Sequence, residues 1–230
     1  MQTKQRLIDS GIVDKMKVIT IHNGISKDYP QNGPDYVAKI FEHLSRCSCH
    51  WNGWKSERLE GPRGFHRCCR SHFTKKSKCS CSPRGSAYQG EEVYEHKLFD
   101  KVASLDTKER IHLCPFTEQI ADYYSAFNIF VLPSIQPDPF PTVVLEAMSN
   151  SLPVVAYDHG GASEMIVDNE TGYLCTALDV SELSRKLELL VGDRALRIKM
   201  GQKARVRQEA EFSLDQFVNR MTRVYLDLIE

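Results

Sequence analysis

The amino-acid sequence predicts an α/β fold built on a parallel β-sheet, and two observations support this prediction. Short apolar runs typical of buried strands occur at 128–134 and 152–158, and a weaker one occurs at 172–176. Segments with the apolar spacing of a helix separate and follow these runs. Strands that alternate with helices favour parallel pairing, so we expect ligands to bind outside the carboxyl ends of the strands.

The remaining elements follow from the same kind of pattern. A strand is predicted at 18–21, where it runs into the turn-forming sequence His22-Asn23-Gly24, and another short strand is predicted at 111–114. The last helix is expected to begin near Ser213 or Asp215, since both residue types favour helix N-termini. The predicted helices cover 91–105, 118–127, 179–191, 194–210 and 213–229.

The composition is that of a globular protein without net charge. The 230 residues include 30 basic and 30 acidic side chains, and 41% of the residues are hydrophobic. A neutral chain has no overall field that favours nucleic acid or a membrane surface. No apolar run approaches the roughly 18 residues of a transmembrane helix, and the N-terminus lacks the apolar core of a signal peptide. We therefore expect a cytoplasmic protein without a nucleic-acid partner, with peripheral binding at the inner membrane face as an alternative location.

The expected binding loops are PSIQPDPFPT (133–142) and DHGGAS (158–163), because they follow the two clearest strands. In the first loop, prolines fix the backbone, and a helix is predicted to start between 140 and 142. The free amides at such a helix start form an anion site, while Glu146 and Asp138 can accept sugar hydroxyls. The simpler alternative is a proline-punctuated loop in which Asp138 is solvated and Glu146 only favours the early helix.

These motifs, in this order, resemble the donor-sugar half of the retaining nucleotide-sugar glycosyltransferases with a GT-B fold, the group 1 or family 4 enzymes. The run VLPS…PDPFPTVVLEAM…PVVA…GGASEMI…TGYL is similar to theirs, with Asp138 and Glu146 as the two acids of the E-x7-E motif. Upstream, VITIHNGIS resembles their V-I-x-N-G-I/V-D strand and turn. The resemblance covers about 17–30 and 85–229 and implies a Rossmann-like domain, with helices on both faces of the parallel sheet.

The resemblance also implies roles in binding a UDP-, GDP- or ADP-sugar and transferring its sugar to an acceptor. Glu146 would bind the ribose hydroxyls, Asp138 would face the donor sugar and Lys55 would clamp the diphosphate; these are the predicted catalytic residues. The predicted substrate-binding residues are Phe140, Pro141, Thr142, Val143, Asn23, Gly24, Phe116, His159, Gly160 and Gly161. The reaction would retain the anomeric configuration through mainly electrostatic stabilisation of the departing diphosphate. The resemblance implies no cofactor and no metal site.

The same resemblance predicts that this chain supplies only part of a two-domain enzyme. Residues 1–16 would be the tail of an N-terminal domain, 17–212 the donor-binding domain, and 213–230 a helix that returns to the N-terminal domain. A partner would then supply the N-terminal domain, and the chain alone would be inactive. The alternative is a non-catalytic subunit or pseudo-enzyme that docks on a partner.

Residues 40–84 differ in composition from the rest of the chain and allow three interpretations. Six of the eight cysteines lie in this segment, and 46–84 contains ten Lys/Arg against two Glu. One interpretation is a basic arm that binds RNA or anionic lipid. A second is a zinc site, although the cysteine spacing is not the paired C-x2-C of structural zinc sites. Its zinc ligands would come from Cys47, Cys49, His50, Cys68, Cys69, His72, Cys79 and Cys81. Another is a shifted reading frame, because a one-base offset across 75–84 can encode an apolar strand; an irregular or disrupted segment is then expected.

Three further residues each have two interpretations. His22 could contact a diphosphate, but a plain turn residue is favoured because it precedes Asn-Gly. His159 either borders the donor sugar or belongs to a tight turn. Glu164 either helps at the same place or caps the following helix.

Overall fold

The computed structural model describes residues 2–11, 18–26, 47–51, 79–83, 99–100, 102–104, 108 and 120–229. Residues 99–100 and 102–103 are helical, as the spacing over 91–105 predicts. In chain order the named elements are α1 (Gln2–Asp9), β1 (Cys47–Trp51), β2 (Cys79–Pro83), α2 (Ile120–Ala126), β3 (Ile129–Leu132), α3 (Thr142–Ser149), β4 (Val154–Tyr157), α4 (Ala162–Met165), β5 (Gly172–Cys175), α5 (Val180–Gly192), α6 (Arg194–Glu211) and α7 (Leu214–Asp227).

The strands form one parallel sheet in the order β2-β1-β3-β4-β5. Every residue of β3 and β4 is buried, as expected where helices cover both faces of a parallel sheet. At the carboxyl ends of these two strands, Leu132 lies beside Ala156. The α/β fold with a parallel sheet predicted from the sequence is confirmed, and the loops after β3 and β4 leave the sheet side by side.

The two faces of the sheet have separate hydrophobic cores. Alternate residues of β3 and β4 point to opposite faces, so that Val131 and Val155 pack with α5 while Phe130 and Val154 pack with α2 and α3. Helix α6 contributes Met200 to the first core and Ala204 to the second. The helices begin as their sequences predict, with caps from the side chains of Asp179, Asp193 and Ser213.

Two sequence predictions about the first half of the chain are corrected. The predicted strand at 18–21 is wrong: residues 18–24 are not paired in the sheet, and Ile25 instead forms a single bridge with Ser213 at the start of α7. The segment expected to be irregular contains the strands β1 and β2. The sequences of these strands, CSCHW and CSCSP, lack the apolar runs from which the other strands were predicted, so an apolar pattern does not show them. Pro83 is tolerated because it lies at the end of the outer strand β2.

The last helix is the least buried of the long helices. None of the described residues of α7 is buried, and its exposed apolar side chains include Leu214, Val218 and Tyr225. Their spacing of four and seven residues places them on one face of the helix. Among the described helices, none has the length and apolar character needed to cross a membrane.

Candidate functional site

The loops after β3 and β4 interlock through their backbones. The amide of Gly161 donates to the carbonyl oxygen of Asp138 at 2.7 Å. Gly160 has a φ of +61°, and a Cβ atom at this position would lie 2.4 Å from the same carbonyl oxygen. Only glycine therefore fits under the first loop without moving it. The group that lies closest to Gly160 and Gly161 is thus the backbone of the first loop.

His159 adds a side-chain connection between the same two loops. Its Nε2 lies 2.6 Å from the carbonyl oxygen of Ser134, which can only accept, so Nε2 carries the proton. In the neutral ring Nδ1 is then the acceptor, and it is buried with no hydrogen-bond partner among the described residues. The amide of His159 also bonds to the carbonyl of Tyr157 at 2.9 Å, which agrees with the tight-turn interpretation.

Asp138 has a fixed place in the first loop. Its Oδ1 accepts a hydrogen bond from the amide of Phe140 at 3.0 Å, and the side chain is half-buried. A carboxylate that closes such a local turn keeps one orientation relative to the backbone. The loop therefore presents a defined carboxylate immediately before the start of α3.

Helix α3 begins at Thr142, within the predicted range, and its first amides point out of the helix. Pro141 occupies the N-cap position with φ −70° and ψ 100°, and no described side chain caps this helix end. The amide of Val144 bonds to the carbonyl of Pro141 at 3.0 Å, whereas the amides of Thr142 and Val143 have no acceptor among the described residues. Two amides at the positive end of a helix dipole can bind an anion.

Glu146 lies one turn further along α3 and is held by Tyr124, a residue that the sequence does not mark as part of the site. The hydroxyl of Tyr124, on α2, donates to Oε2 of Glu146 at 3.0 Å. Tyr124 is 1% exposed, while Glu146 is half-buried. The only sequence signal for this contact is a tyrosine on the apolar side of the predicted helix 118–127, and its partner could not be inferred from that.

A cluster of rings and charges joins the segment 18–26 to the first loop. His22 stacks on Phe140, with ring centroids 5.1 Å apart and planes 19° apart, and lies edge-on to Phe212 at 5.7 Å. Its Nε2 is 2.8 Å from Oε2 of Glu164, on α4. The interpretation of His22 as a plain turn residue is therefore wrong, since its side chain packs between α4, the first loop and the end of α6.

Arg207 supports this cluster from the side of α6. Its guanidinium donates to the carbonyl oxygens of Met165 at 2.8 Å and Glu164 at 3.0 Å, which lie at the carboxyl end of the short helix α4. It also lies over the ring of Phe212, 5.5 Å from the centroid. Arg207 thus fixes the backbone of α4, and with it the position from which the Glu164 carboxylate reaches His22.

A cavity of about 290 Å³ opens beside this cluster. Its walls come from α1, the segment 18–23, the first loop and Glu164. Asn23 is exposed at the cavity, whereas Gly24 packs against Ser213: a Cβ atom at Gly24 would lie 2.2 Å from the Ser213 carbonyl oxygen. Of the predicted Asn23-Gly24 pair, only Asn23 therefore faces open space together with Phe140.

The Glu164–His22 contact gives a pH-dependent prediction. Burial would raise the pKa of Glu164, but hydrogen bonds, including the one with His22, lower the pKa overall. A depressed carboxyl pKa adds stability above the ordinary pKa, and this contribution is lost as pH falls through the lower folded value. We expect Glu164→Gln to lower the free energy of unfolding at about pH 7, as measured by urea unfolding. At about pH 4 the difference in this free energy between variant and wild type should be smaller. The matched control Glu170→Gln, which breaks an exposed ion pair with Lys203, should change stability little at either pH; equal behaviour of the two variants would contradict the assignment.

The structure brings together most, but not all, of the predicted site residues. Asp138, Phe140 and the start of α3 lie in one loop, which rests on Gly160 and Gly161 and is bonded to His159. Glu146 follows on α3, and Asn23 lies by the cavity. Lys55 and Phe116, together with the zinc-ligand side chains considered above, lie outside the described residues.

Comparison with protein families matches residues 88–207, just over half of the chain, to the family "Glycosyl transferases group 1". An uncharacterized glycosyltransferase from Haemophilus influenzae is 31% identical over 130 residues, which are 56% of this chain and 36% of that protein. The chain thus spans little more than a third of the length of this relative.

Two solved structures have the same fold. A glycosyltransferase from Rickettsia africae superposes with a TM-score of 0.88 and 20% identity, over 99% of this chain and 62% of its own. Alr3699/HepE from Anabaena, solved with UDP-glucose, superposes with a TM-score of 0.85 and 19% identity, over 97% of this chain and 61% of its own. At these identities the likeness establishes the fold, and the agreement extends over nearly the whole length of the chain.

Proposed function

This chain belongs to the group 1 glycosyl transferases, and we propose that it binds a nucleotide-sugar donor from which a sugar is transferred to an acceptor. The observation that carries the proposal is the arrangement of two carboxylates around an uncapped helix start. Asp138 is fixed before α3, Glu146 is held within it, and the amides of Thr142 and Val143 lie between them in the chain. This arrangement offers acceptors for sugar hydroxyls on both sides of an anion site.

The proposed chemistry assigns one part of the donor to each group. The diphosphate lies at the amides of Thr142 and Val143, and Glu146 accepts from the ribose hydroxyls. Asp138 faces the donor sugar, and Lys55 is proposed as a second contact to the diphosphate. Because fixed amides and a helix dipole stabilise the negative charge that develops on the departing diphosphate, they lower the barrier for cleavage of the anomeric bond. We propose that the product retains the anomeric configuration.

A UDP-sugar is the first candidate donor, because Alr3699/HepE, which shares the fold, was solved with UDP-glucose. Calorimetric titration with UDP-, GDP- and ADP-sugars tests the proposal, with a zinc assay alongside. We expect one nucleotide class to bind at a single site and zinc to be substoichiometric. Stoichiometric zinc with no binding of any nucleotide sugar would contradict the proposal in favour of a metal-binding module.

Asp138→Asn separates the sugar contact from the nucleotide contact. The amide oxygen of asparagine can still accept from the Phe140 amide, so the loop should keep its conformation while the negative charge is removed. We expect the affinity for the free nucleoside diphosphate to stay within about twofold, and the affinity for the nucleotide sugar to fall about 3- to 10-fold. Equal losses for both ligands, measured by calorimetry, would show that Asp138 does not face the sugar.

The domain division remains a proposal that the exposed face of α7 supports. We propose that a further domain or a partner chain covers Leu214, Val218 and Tyr225, and that this part supplies the acceptor site which turnover requires. Hydrogen exchange should then be faster in α7 than in α6 for the isolated chain. Exchange in α7 as slow as in α6 would contradict this, since it would show that α7 is already stabilised.

A further inference from the structure

We propose that Tyr124 is a positioning residue for Glu146, and that it thereby sets the preference of the site for ribonucleotides over deoxyribonucleotides. The inference rests on the proposed function, in which Glu146 binds the ribose. It adds a residue from a different helix, remote in sequence from the loops that form the site.

The ring of Tyr124 is held firmly in the core. The residue is 1% exposed, and its ring packs edge-on against Phe127, with centroids 6.5 Å apart, and against Phe130 at 5.8 Å. A buried aromatic ring with only two rotatable side-chain bonds has few alternative positions. Its hydroxyl is therefore a fixed point on α2, directed at α3.

The hydroxyl has one proton, and the described part of the chain places two acceptors within its reach. Oε2 of Glu146 is 3.0 Å away and the carbonyl oxygen of Val143 is 3.4 Å away. The carboxylate is both nearer and charged, and hydrogen bonds to charged acceptors are shorter and stronger than those to neutral ones. The proton is accordingly donated to Glu146, while the Val143 contact limits the hydroxyl to this side of α3.

This bond fixes one oxygen of a side chain that has three rotatable bonds. A glutamate that becomes ordered only when the ligand binds loses rotamer freedom, and this entropy cost weakens binding. A glutamate that is already held in place does not incur that cost. The two vicinal hydroxyls of a ribose match the two oxygens of a carboxylate only when its plane is fixed. A deoxyribose lacks one of these donors. A carboxylate in a fixed orientation therefore disfavours a deoxyribose more strongly than a mobile carboxylate does.

The test compares Tyr124→Phe with wild type for binding of UDP, GDP and ADP and of the 2′-deoxy and 3′-deoxy forms of the tightest binder. Phenylalanine keeps the ring and removes only the hydroxyl. We expect the ribonucleotide to bind about 3- to 10-fold more weakly and the deoxy forms to change less, so that the ratio between them shrinks. Tyr173→Phe is the matched control, because Tyr173 is 5% exposed in the other core; its affinities and ratio should equal those of wild type.

The outcomes separate this inference from the proposed function. Absence of ribonucleotide binding by the wild type overturns both, whereas binding by the wild type with an unchanged ratio in Tyr124→Phe overturns only the role of Tyr124. Thermal unfolding of each variant shows whether a loss is due to misfolding. Tyr124→Phe should also have no further effect on affinity in a Glu146→Ala background, where no acceptor is left at this position, and an additive loss there would contradict positioning through Glu146.

Discussion

Replacement of Gly160 by alanine is expected to lower the free energy of unfolding by about 2–4 kcal/mol, because a left-handed conformation and a clash combine at this position. The residue has a φ of +61°, and the new methyl group would lie 2.4 Å from the carbonyl oxygen of Asp138. The clash is with backbone, so no side-chain rotation relieves it. Urea unfolding of wild type and variant measures the effect, with a loss of donor affinity expected in parallel because the first loop must move.

Gly192→Ala is the matched control for this prediction. Gly192 ends α5, and no described atom lies within 4 Å of the position its Cβ would take. Alanine there should change stability by no more than about 0.5 kcal/mol, since neither strain nor contact is introduced. If Gly160→Ala were as stable as Gly192→Ala and bound donor normally, the two loops would not interlock as described.

Glu146→Ala is expected to weaken binding of the nucleotide sugar by about 100-fold or more, because a carboxylate that accepts from two ribose hydroxyls contributes roughly 1.5–3 kcal/mol per bond. The substitution removes both acceptor oxygens at once. It also deprives the buried hydroxyl of Tyr124 of its nearest acceptor, so a modest loss of stability should accompany the loss of affinity. Calorimetry gives the affinity, and thermal unfolding gives the stability.

The control for the loss of charge is Glu188→Ala, an exposed glutamate on α5. Its removal changes the net charge by the same amount but should leave the affinity unchanged. A loss of less than threefold in a folded Glu146→Ala protein would mean that the ribose lies elsewhere.

The second half of the chain was predictable because its signals are local and mutually consistent. The apolar runs at 128–134 and 152–158 become β3 and β4, and the prolines before Thr142 mark the start of α3. The rule that ligands bind at the carboxyl ends of parallel strands predicted which two loops should lie together, and their backbones are hydrogen-bonded to each other. The periodicity of the apolar residues and the order of the elements along the chain are enough for such predictions.

The contacts that the sequence did not predict are those between distant segments. Neither the pairing of His22 with Glu164 nor the hydroxyl bond from Tyr124 to Glu146 has a spacing that a local pattern could show. The strand expected at 18–21 has the right residue types but crosses to the junction of α6 and α7, where Ile25 pairs with Ser213. The strand propensity of a segment does not specify which strand it pairs with. Whether the segment joins the sheet depends on how its side chains pack and are buried there.

The most direct test of the central claim is an NMR titration of the chain, labelled with ¹⁵N at threonine and valine, with the tightest-binding nucleotide sugar. We expect the largest amide shifts to fall on Thr142 and Val143, because a diphosphate replaces water at those two groups. Conservative substitution of Thr142 by serine assigns the first signal without removing its amide. Saturable binding that leaves both amides unshifted, with the main changes elsewhere, would contradict the claim that the start of α3 holds the donor diphosphate.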